Sequence, residues 1–455
     1  MKKKVYIQTY GCQMNQYDSE RIAQVMSRAG YVQTDRIDAA DVILLNSCTV
    51  RDKAEQKVYS ALGGWKEFKD AREGVIMGVG GCVAQQEGEN LLKRVPHLDL
   101  VFGTHNIHKL PEMVDQAQTS RTRPVEIAFY RDPSYMEAAD GRTQVHGVKA
   151  FVTIMQGCNK VCSFCIVPHV RGREVSRPSA NIIAEIESLV AQGVIEVMLL
   201  GQNVNSYGKL TPGELSFAEL LARVDSIEGL RRIRFTTSHP QDLSPELTEA
   251  FARLDNLCEH LHLPVQSGSD SVLGRMRRGY TRQEYLDRIQ RLRQRCPEVA
   301  LSTDIIVGFP GETDEEFDAT LELLERVGYD EIYSFMYSPR PQTVSAKIYE
   351  DDVSGHVKKE RLTKVQKFQR EISLAKNRER IGAIEEILVD GSSKLKNGQI
   401  MGRTRNNRIV NVTSSENVMG QLLPVRITGA TANSLLGEVL WDKCSANSQL
   451  EGDLA

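Results

Sequence analysis

Three cysteines separated by three and then two residues stand in Gly157-Cys158-Asn159-Lys160-Val161-Cys162-Ser163-Phe164-Cys165. Thiolates are soft ligands suited to iron–sulfur sites, and three on one short loop can reach three corners of a 4Fe–4S cubane. No fourth cysteine lies nearby, so one iron would stay open to a small molecule, as a catalytic metal site requires. A zinc site with a distant fourth ligand such as His169, or thiols that are simply buried, would satisfy the same spacing.

A second set is dispersed but regular. Cys12, Cys48 and Cys82 each end an apolar run: Tyr6-Ile7-Gln8-Thr9-Tyr10-Gly11, Val42-Ile43-Leu44-Leu45-Asn46-Ser47 and Val75-Ile76-Met77-Gly78-Val79-Gly80-Gly81. In a parallel sheet the strand C-termini lie side by side, so these thiols should converge and could hold a second cluster, again with an open iron. Gly11, Gly80 and Gly81 would permit tight turns and close backbone approach. One cysteine at a strand end is more often packing; three at equivalent junctions point to ligands. Cys258, Cys296 and Cys444 show no such convergence and read as packing residues.

The elements that must position these residues alternate. Strands are expected at Val5–Tyr10, Val42–Asn46, Val75–Gly80 and Leu98–Gly103, with helices at Asp18–Ala29, Lys53–Phe68 and Gln85–Lys93. This predicts an N-terminal parallel α/β domain over 1–115. Periodicity is lost over 116–147, which reads as a linker. From 148 to 382 six further strands are expected: Ala150–Gln156, Ile195–Leu200, Arg232–Thr237, His260–Pro264, Leu301–Val307 and Glu331–Tyr337. Helical patterns lie between them, giving a partial (βα)6, TIM-like barrel whose chemistry sits at the strand ends. A charged helix, His356–Ile381, leads to strands at Glu385–Val389, Arg408–Val412, Leu422–Thr428 and Leu436–Leu440. These predict a small β-barrel over 383–445, followed by a tail, 446–455.

At 455 residues, with 41% hydrophobic and 26% charged residues, the composition is that of a globular protein of several domains. Net charge is −3, so any nucleic-acid binding must rest on a local basic surface. The apolar run after Lys2-Lys3-Lys4 is too short for a secretory core and no stretch is long enough to span a bilayer. A cytoplasmic protein without a membrane partner is expected, and with nine cysteines a disulfide framework is not.

The Cys158–Cys165 loop with its flanks resembles the radical S-adenosylmethionine (SAM) superfamily motif. Two three-cysteine groups with a C-terminal barrel resemble its methylthiotransferase family over essentially the whole chain, in three domains. Gly11-Cys12-Gln13-Met14-Asn15-Gln16 and Arg51-Asp52-Lys53-Ala54-Glu55-Gln56-Lys57 are similar to the tRNA branch. His260-Leu261-His262-Leu263-Pro264-Val265-Gln266-Ser267-Gly268-Ser269, Asp304-Ile305-Ile306-Val307-Gly308-Phe309-Pro310-Gly311-Glu312-Thr313 and Tyr337-Ser338-Pro339-Arg340-Pro341 also fit the family. Ser47 replaces a commoner Thr, and Gln342 and Val344 interrupt a usual Gly-Thr-Pro run. The C-terminal barrel resembles the TRAM domain, an RNA-binding module.

The resemblance implies conversion of N6-isopentenyladenosine beside the tRNA anticodon to its 2-methylthio derivative. One SAM would donate methyl and a second would yield the 5′-deoxyadenosyl radical at the cluster on Cys158, Cys162 and Cys165. Sulfur would be carried at an auxiliary 4Fe–4S cluster on Cys12, Cys48 and Cys82. No acid–base catalyst is then required, and His239 and His262 read as structural. A low-potential electron donor is implied, and a monomer is expected. Candidate SAM contacts are Gly201, Gln202, Ser238, Gln266 and Asp304, each at or just past a strand end. Gly308 and Gly311 read as turn glycines. Arg403, Arg405, Asn406 and Arg408 could hold tRNA phosphates in the anticodon stem-loop. Alternatives are a methylthiotransferase acting on threonylcarbamoyladenosine or on a ribosomal-protein aspartate. A non-catalytic iron–sulfur or zinc-stabilised RNA-binding protein is an alternative of another kind.

Overall fold

The computed structural model describes residues 2–49, 52–137, 147–392, 399–414 and 418–441. Arg51, Cys444 and the tail 446–455 lie outside them. The chain forms two compact units, Met1–Leu220 with Arg340–Lys347, and Leu221–Pro339 with Ile348–Ala455.

The first unit is built on six parallel strands. Their order across the sheet is Val32–Gln33, Lys4–Tyr10, Val42–Ser47, Ile76–Gly81, Leu100–Phe102 and Val125–Glu126. Alternation within each strand divides its side chains between two faces. Val42, Leu44, Leu100 and Phe102 pack with Ile22, Met26, Leu110, Met113 and Val114 of the helices Gln13–Arg28 and Leu110–Thr119. Ile43, Leu45, Met77, Val79 and Val101 pack with Val58, Leu62, Val83 and Leu91 on the other face. A strand buried on both faces reads as a continuous apolar run, which is the pattern of Val42–Leu45.

Three expectations are corrected here. The first helix begins at Gln13 and not Asp18, so it starts directly after Cys12. The pattern at 85–93 is two short helices, Cys82–Glu87 and Glu89–Arg94, divided at Gly88. The stretch read as a linker from 116 supplies the end of Leu110–Thr119 and the sixth strand. That strand escapes sequence reading because two residues carry no periodicity.

The same unit contains the parallel pair Lys149–Thr153 and Glu196–Leu200. Just past the former, Met155–Gln156 pairs antiparallel with Val175–Ser176, closing the base of the loop that carries Cys158, Cys162 and Cys165.

In the second unit His260–His262, Ala300–Val307 and Glu331–Met336 form a parallel sheet, and Arg232–Phe235 is a further strand. The six strands expected for the partial barrel are thus present, two in the first unit and four in the second. Helices Arg282–Arg295 and Asp314–Val327 lie between these strands along the chain, where helical patterns were expected. Each opens on a capping box, Thr281 with Glu284 and Thr313 with Glu316, which satisfies orphan donors at the helix start. Helix Gly355–Arg378 precedes a closed five-stranded barrel, ordered Ile384–Ser392, Gln399–Thr404, Ile409–Thr413, Leu435–Val439 and Leu422–Ala430. Its core is Ile387, Val389, Val410, Val412, Leu423, Val425, Ile427 and Leu435. Among the described residues no helix is long and apolar enough to cross a membrane.

Candidate iron–sulfur site

Register brings the dispersed cysteines together. Tyr10 pairs with Ser47, and Ser47 with Gly81, so three adjacent strands end at one level. Cys12, Cys48 and Cys82 are the next residues out or nearly so, and the Cys48 amide donates to the Tyr10 carbonyl at 2.8 Å. Two buried asparagines hold the first two junctions side by side. Asn46 Nδ2 donates to the Asn15 carbonyl at 2.8 Å and to Ser19 Oγ at 2.9 Å. At the third junction Gly81 has φ +86°, and a Cβ there would meet Asn46 Oδ1 at 2.4 Å and the Ser47 carbonyl at 2.6 Å. Only glycine lets the chain pass that close.

Cys48 hydrogen-bonds to both Cys12 and Cys82. Cys48 and Cys82 are buried while Cys12 is exposed, and none of the three is in a disulfide. The bond from Cys48 holds Cys12 down at about 6; burial opposes it and the Arg171 guanidinium adds to it. Cys82 is lowered to about 7 by its own bond with Cys48, against burial and again with help from Arg171. Cys48, buried between the other two thiols, is pushed far up by its bonding with Cys12 and Cys82 and by burial. Two of the three are therefore disposed to be thiolates, the form that binds metal. Among the described residues no three His, Cys, Asp or Glu side chains are drawn around a single ion. A cubane offers a separate iron to each thiolate, so its ligands need not converge on one point.

The clustered set lies on the loop between Gln156 and Val175. The Cys158 amide donates to the Gly172 carbonyl at 3.2 Å, and the Cys165 amide to the Cys162 carbonyl at 3.2 Å. Burial pushes the Cys158 thiol up to about 11. Gly157, at φ +83°, has no room for a side chain, because a Cβ would meet the Arg173 carbonyl oxygen at 2.1 Å. Gly157→Ala should cost about 2 kcal/mol or more through left-handed strain and backbone collision. It should also lower the iron retained per chain, and thermal unfolding with an iron assay checks both. Gln202 Oε1 accepts from the Gly157 amide at 2.5 Å, so this expected SAM contact supports the loop from behind.

The segment just past the Cys158–Cys165 loop packs against the second cysteine group within this unit. Helix Val167–Val170, just past Cys165, packs Ile166 and Val170 against Cys82. Arg171 ends that turn and ion-pairs with Asp18 at 2.6 Å. Sequence reading missed Arg171, Asn15 and Asn46, since nothing local marks a buried partner so distant along the chain.

Comparison with known proteins decides the family. Residues 4–103 match the family described as "Uncharacterized protein family UPF0004", 152–324 the radical SAM superfamily and 378–440 the TRAM domain. The tRNA-2-methylthio-N(6)-dimethylallyladenosine synthase of Geobacter metallireducens is 53% identical over 96% of this chain and 98% of its own. That of Geobacter sulfurreducens is 51% identical over 98% and 99%. The chain belongs to this synthase family.

As a radical SAM enzyme of that family, it takes a 4Fe–4S cluster and SAM. The fold is also similar to that of TsrM, a radical SAM methyltransferase from Kitasatospora setae solved with cobalamin and a 4Fe–4S cluster. The TM-score is 0.57 at 14% identity, covering 76% of this chain and 74% of that one.

The remaining residues expected to meet SAM divide between the units. Gly201 ends Glu196–Leu200 in the first, packed so that a Cβ would meet Met155 Cγ at 2.5 Å. In the second, Gln266 pairs with Ile305 beside Asp304, at φ +78°. Among the described residues Ser238 Oγ and Gln266 Oε1 are buried with no hydrogen-bond partner, and so, separately, is Gln156 Nε2 of the first unit. Orphaned buried polar atoms fit a polar ligand that completes them. His262 bonds Ser302 Oγ at 3.0 Å and lies 3.5 Å from Asp304, while His239 Nδ1 accepts from the Gln241 amide at 3.3 Å.

The arginines expected to hold phosphates in the TRAM barrel are otherwise engaged. Arg405 makes a bidentate pair with Glu259 and bonds the Leu257 carbonyl. Arg408 pairs with Asp330, Asn406 donates to the Glu259 and Glu298 carbonyls, and Arg403 bonds Asn407. Arg232 and Arg234 in turn donate to the carbonyls of 403, 404 and 405. Arg403 lies inside strand Gln399–Thr404, and the charges of this segment fasten the barrel to the rest of the second unit. Arg405→Ala should therefore cost about 1–3 kcal/mol of unfolding free energy by orphaning Glu259. A loss of tRNA affinity beyond about twofold in the same variant would show that the guanidinium also meets a phosphate. Denaturant unfolding and filter binding read the two effects separately.

Proposed function

We propose that the chain converts N6-isopentenyladenosine beside the tRNA anticodon to 2-methylthio-N6-isopentenyladenosine, consuming two SAM molecules, with sulfur carried on an auxiliary cluster. The observation that carries the reading is the gathering of Cys12, Cys48 and Cys82 at neighbouring strand ends, in the same compact unit as the Cys158–Cys165 loop. Carbon 2 of the adenine is not acidic enough for ordinary proton abstraction, so radical chemistry suits the substitution.

Cys158, Cys162 and Cys165 would hold one 4Fe–4S cluster and Cys12, Cys48 and Cys82 the other. When bound, the first would supply the electron that cleaves SAM. The chain's own part is positional. The Met155–Gln156 hairpin and Gln202 fix the cysteine loop, and in the second unit the orphaned polar atoms of Ser238 and Gln266 offer contacts to SAM. The TRAM barrel would contribute to holding tRNA through surfaces other than the engaged arginines. A low-potential donor would feed the loop.

Product stoichiometry tests the two roles of SAM. Each methylthio group formed should be matched by one 5′-deoxyadenosine and one S-adenosylhomocysteine. Product formation without S-adenosylhomocysteine would exclude SAM as the methyl donor.

A further inference from the structure

We propose that Arg171 is a positioning residue for the second cysteine group: fixed by Asp18, its guanidinium compensates the negative charge of a cluster on Cys12, Cys48 and Cys82 and sets that cluster's redox equilibrium. The inference rests on the ligand reading given above.

Arg171 is 3% exposed, an uncommon place for a guanidinium. Nη2 donates to Asp18 Oδ2 at 2.6 Å, and the two side chains are 4% and 5% exposed. Asp18 stands on the helix that starts immediately after Cys12. The backbone of Arg171 is pinned as well: His105 Nε2 meets its carbonyl at 2.9 Å, and Thr104 Oγ1 donates to the Val170 carbonyl at 2.9 Å. Thr104 and His105 follow the strand Leu100–Phe102, so the arginine is held from two elements of the sheet domain. Its neighbour Val170 packs on Cys82.

One ion pair does not exhaust this group. Nη1 is buried and has no hydrogen-bond partner among the described residues. A guanidinium offers five donors, and leaving one end unpaired is costly unless an anionic group completes it. A cubane on three thiolates carries about −1 when oxidised and about −2 when reduced. An anion buried at such a site is costly without a cation, and a fixed cation favours the more negative state. Arg171 is placed to provide that charge, and Asp18 both aims it and partly offsets it.

The test uses the full chain with Cys158→Ala, Cys162→Ala and Cys165→Ala, reconstituted anaerobically, so that only the second group can hold a cluster. Redox titration is followed by electron paramagnetic resonance. Arg171→Met should shift the one-electron equilibrium toward the oxidised form by about tenfold, or about 59 mV. Asp18→Asn should shift it toward the reduced form, and Arg171→Lys, which keeps the charge, should stay within about threefold of the parent. Loss of the cluster in Arg171→Met with retention in Arg171→Lys would support the same role of charge. Shifts of Arg171→Met and Asp18→Asn in one direction, or neither exceeding about twofold, would overturn it, since packing alone predicts no opposed signs. A parent variant that takes up no iron would instead refute the ligand reading, and the inference with it.

Discussion

Replacing Cys12, Cys48 or Cys82 with alanine is expected to abolish methylthio transfer while leaving SAM cleavage in place. The three thiols leave adjacent strands in register and share hydrogen bonds through Cys48, so loss of any one removes a third of the ligand set. A cubane held by two cysteines is poorly retained, and each variant should lose roughly half of the bound iron. Cys12→Ala is the cleanest of the three, because Cys12 is exposed and its truncation leaves no buried cavity. Iron analysis, 5′-deoxyadenosine formation and nucleoside mass spectrometry together read the result. Full iron content with unchanged product would refute a ligand role for these residues.

Cys158→Ala should do the converse. Cleavage of SAM should fall to background and product with it, while the roughly half of the iron attributed to the other group remains. Cys158 is tied by its amide to the Gly172 carbonyl, and the loop base is closed by the Met155–Gln156 hairpin. The backbone should therefore keep its shape without the thiol, and circular dichroism should match the parent. Retained SAM cleavage in this variant would contradict the assignment of the loop.

Much of this arrangement was legible in the sequence, and the reasons are specific. Cys158, Cys162 and Cys165 are local, so their spacing marks a candidate ligand loop within one short stretch. Cys12, Cys48 and Cys82 are far apart, yet each follows an apolar run, and parallel pairing turns equivalent strand ends into neighbours in space. The start of the first helix was not legible, because Cys12 occupies its N-cap in place of the usual Ser, Thr, Asp or Asn. Gln399–Thr404 was missed because its buried positions are Gly402 and Thr404, which give no apolar alternation. The ion pairs of the arginines around it were not legible either, because sequence shows charge and not its partner. Glu259 lies 146 residues from Arg405, and Asp18 lies 153 from Arg171. Buried ion pairs of that separation belong to tertiary structure.

The central claim is tested most directly by the modified nucleoside itself. The chain, loaded anaerobically with iron and sulfide, would be incubated with SAM, a reductant and tRNA carrying N6-isopentenyladenosine, and the digested nucleosides read by mass spectrometry. The account predicts 2-methylthio-N6-isopentenyladenosine, absent from the Cys12→Ala and Cys158→Ala controls. Unmodified N6-isopentenyladenosine from a chain with both clusters loaded and SAM being cleaved would contradict it.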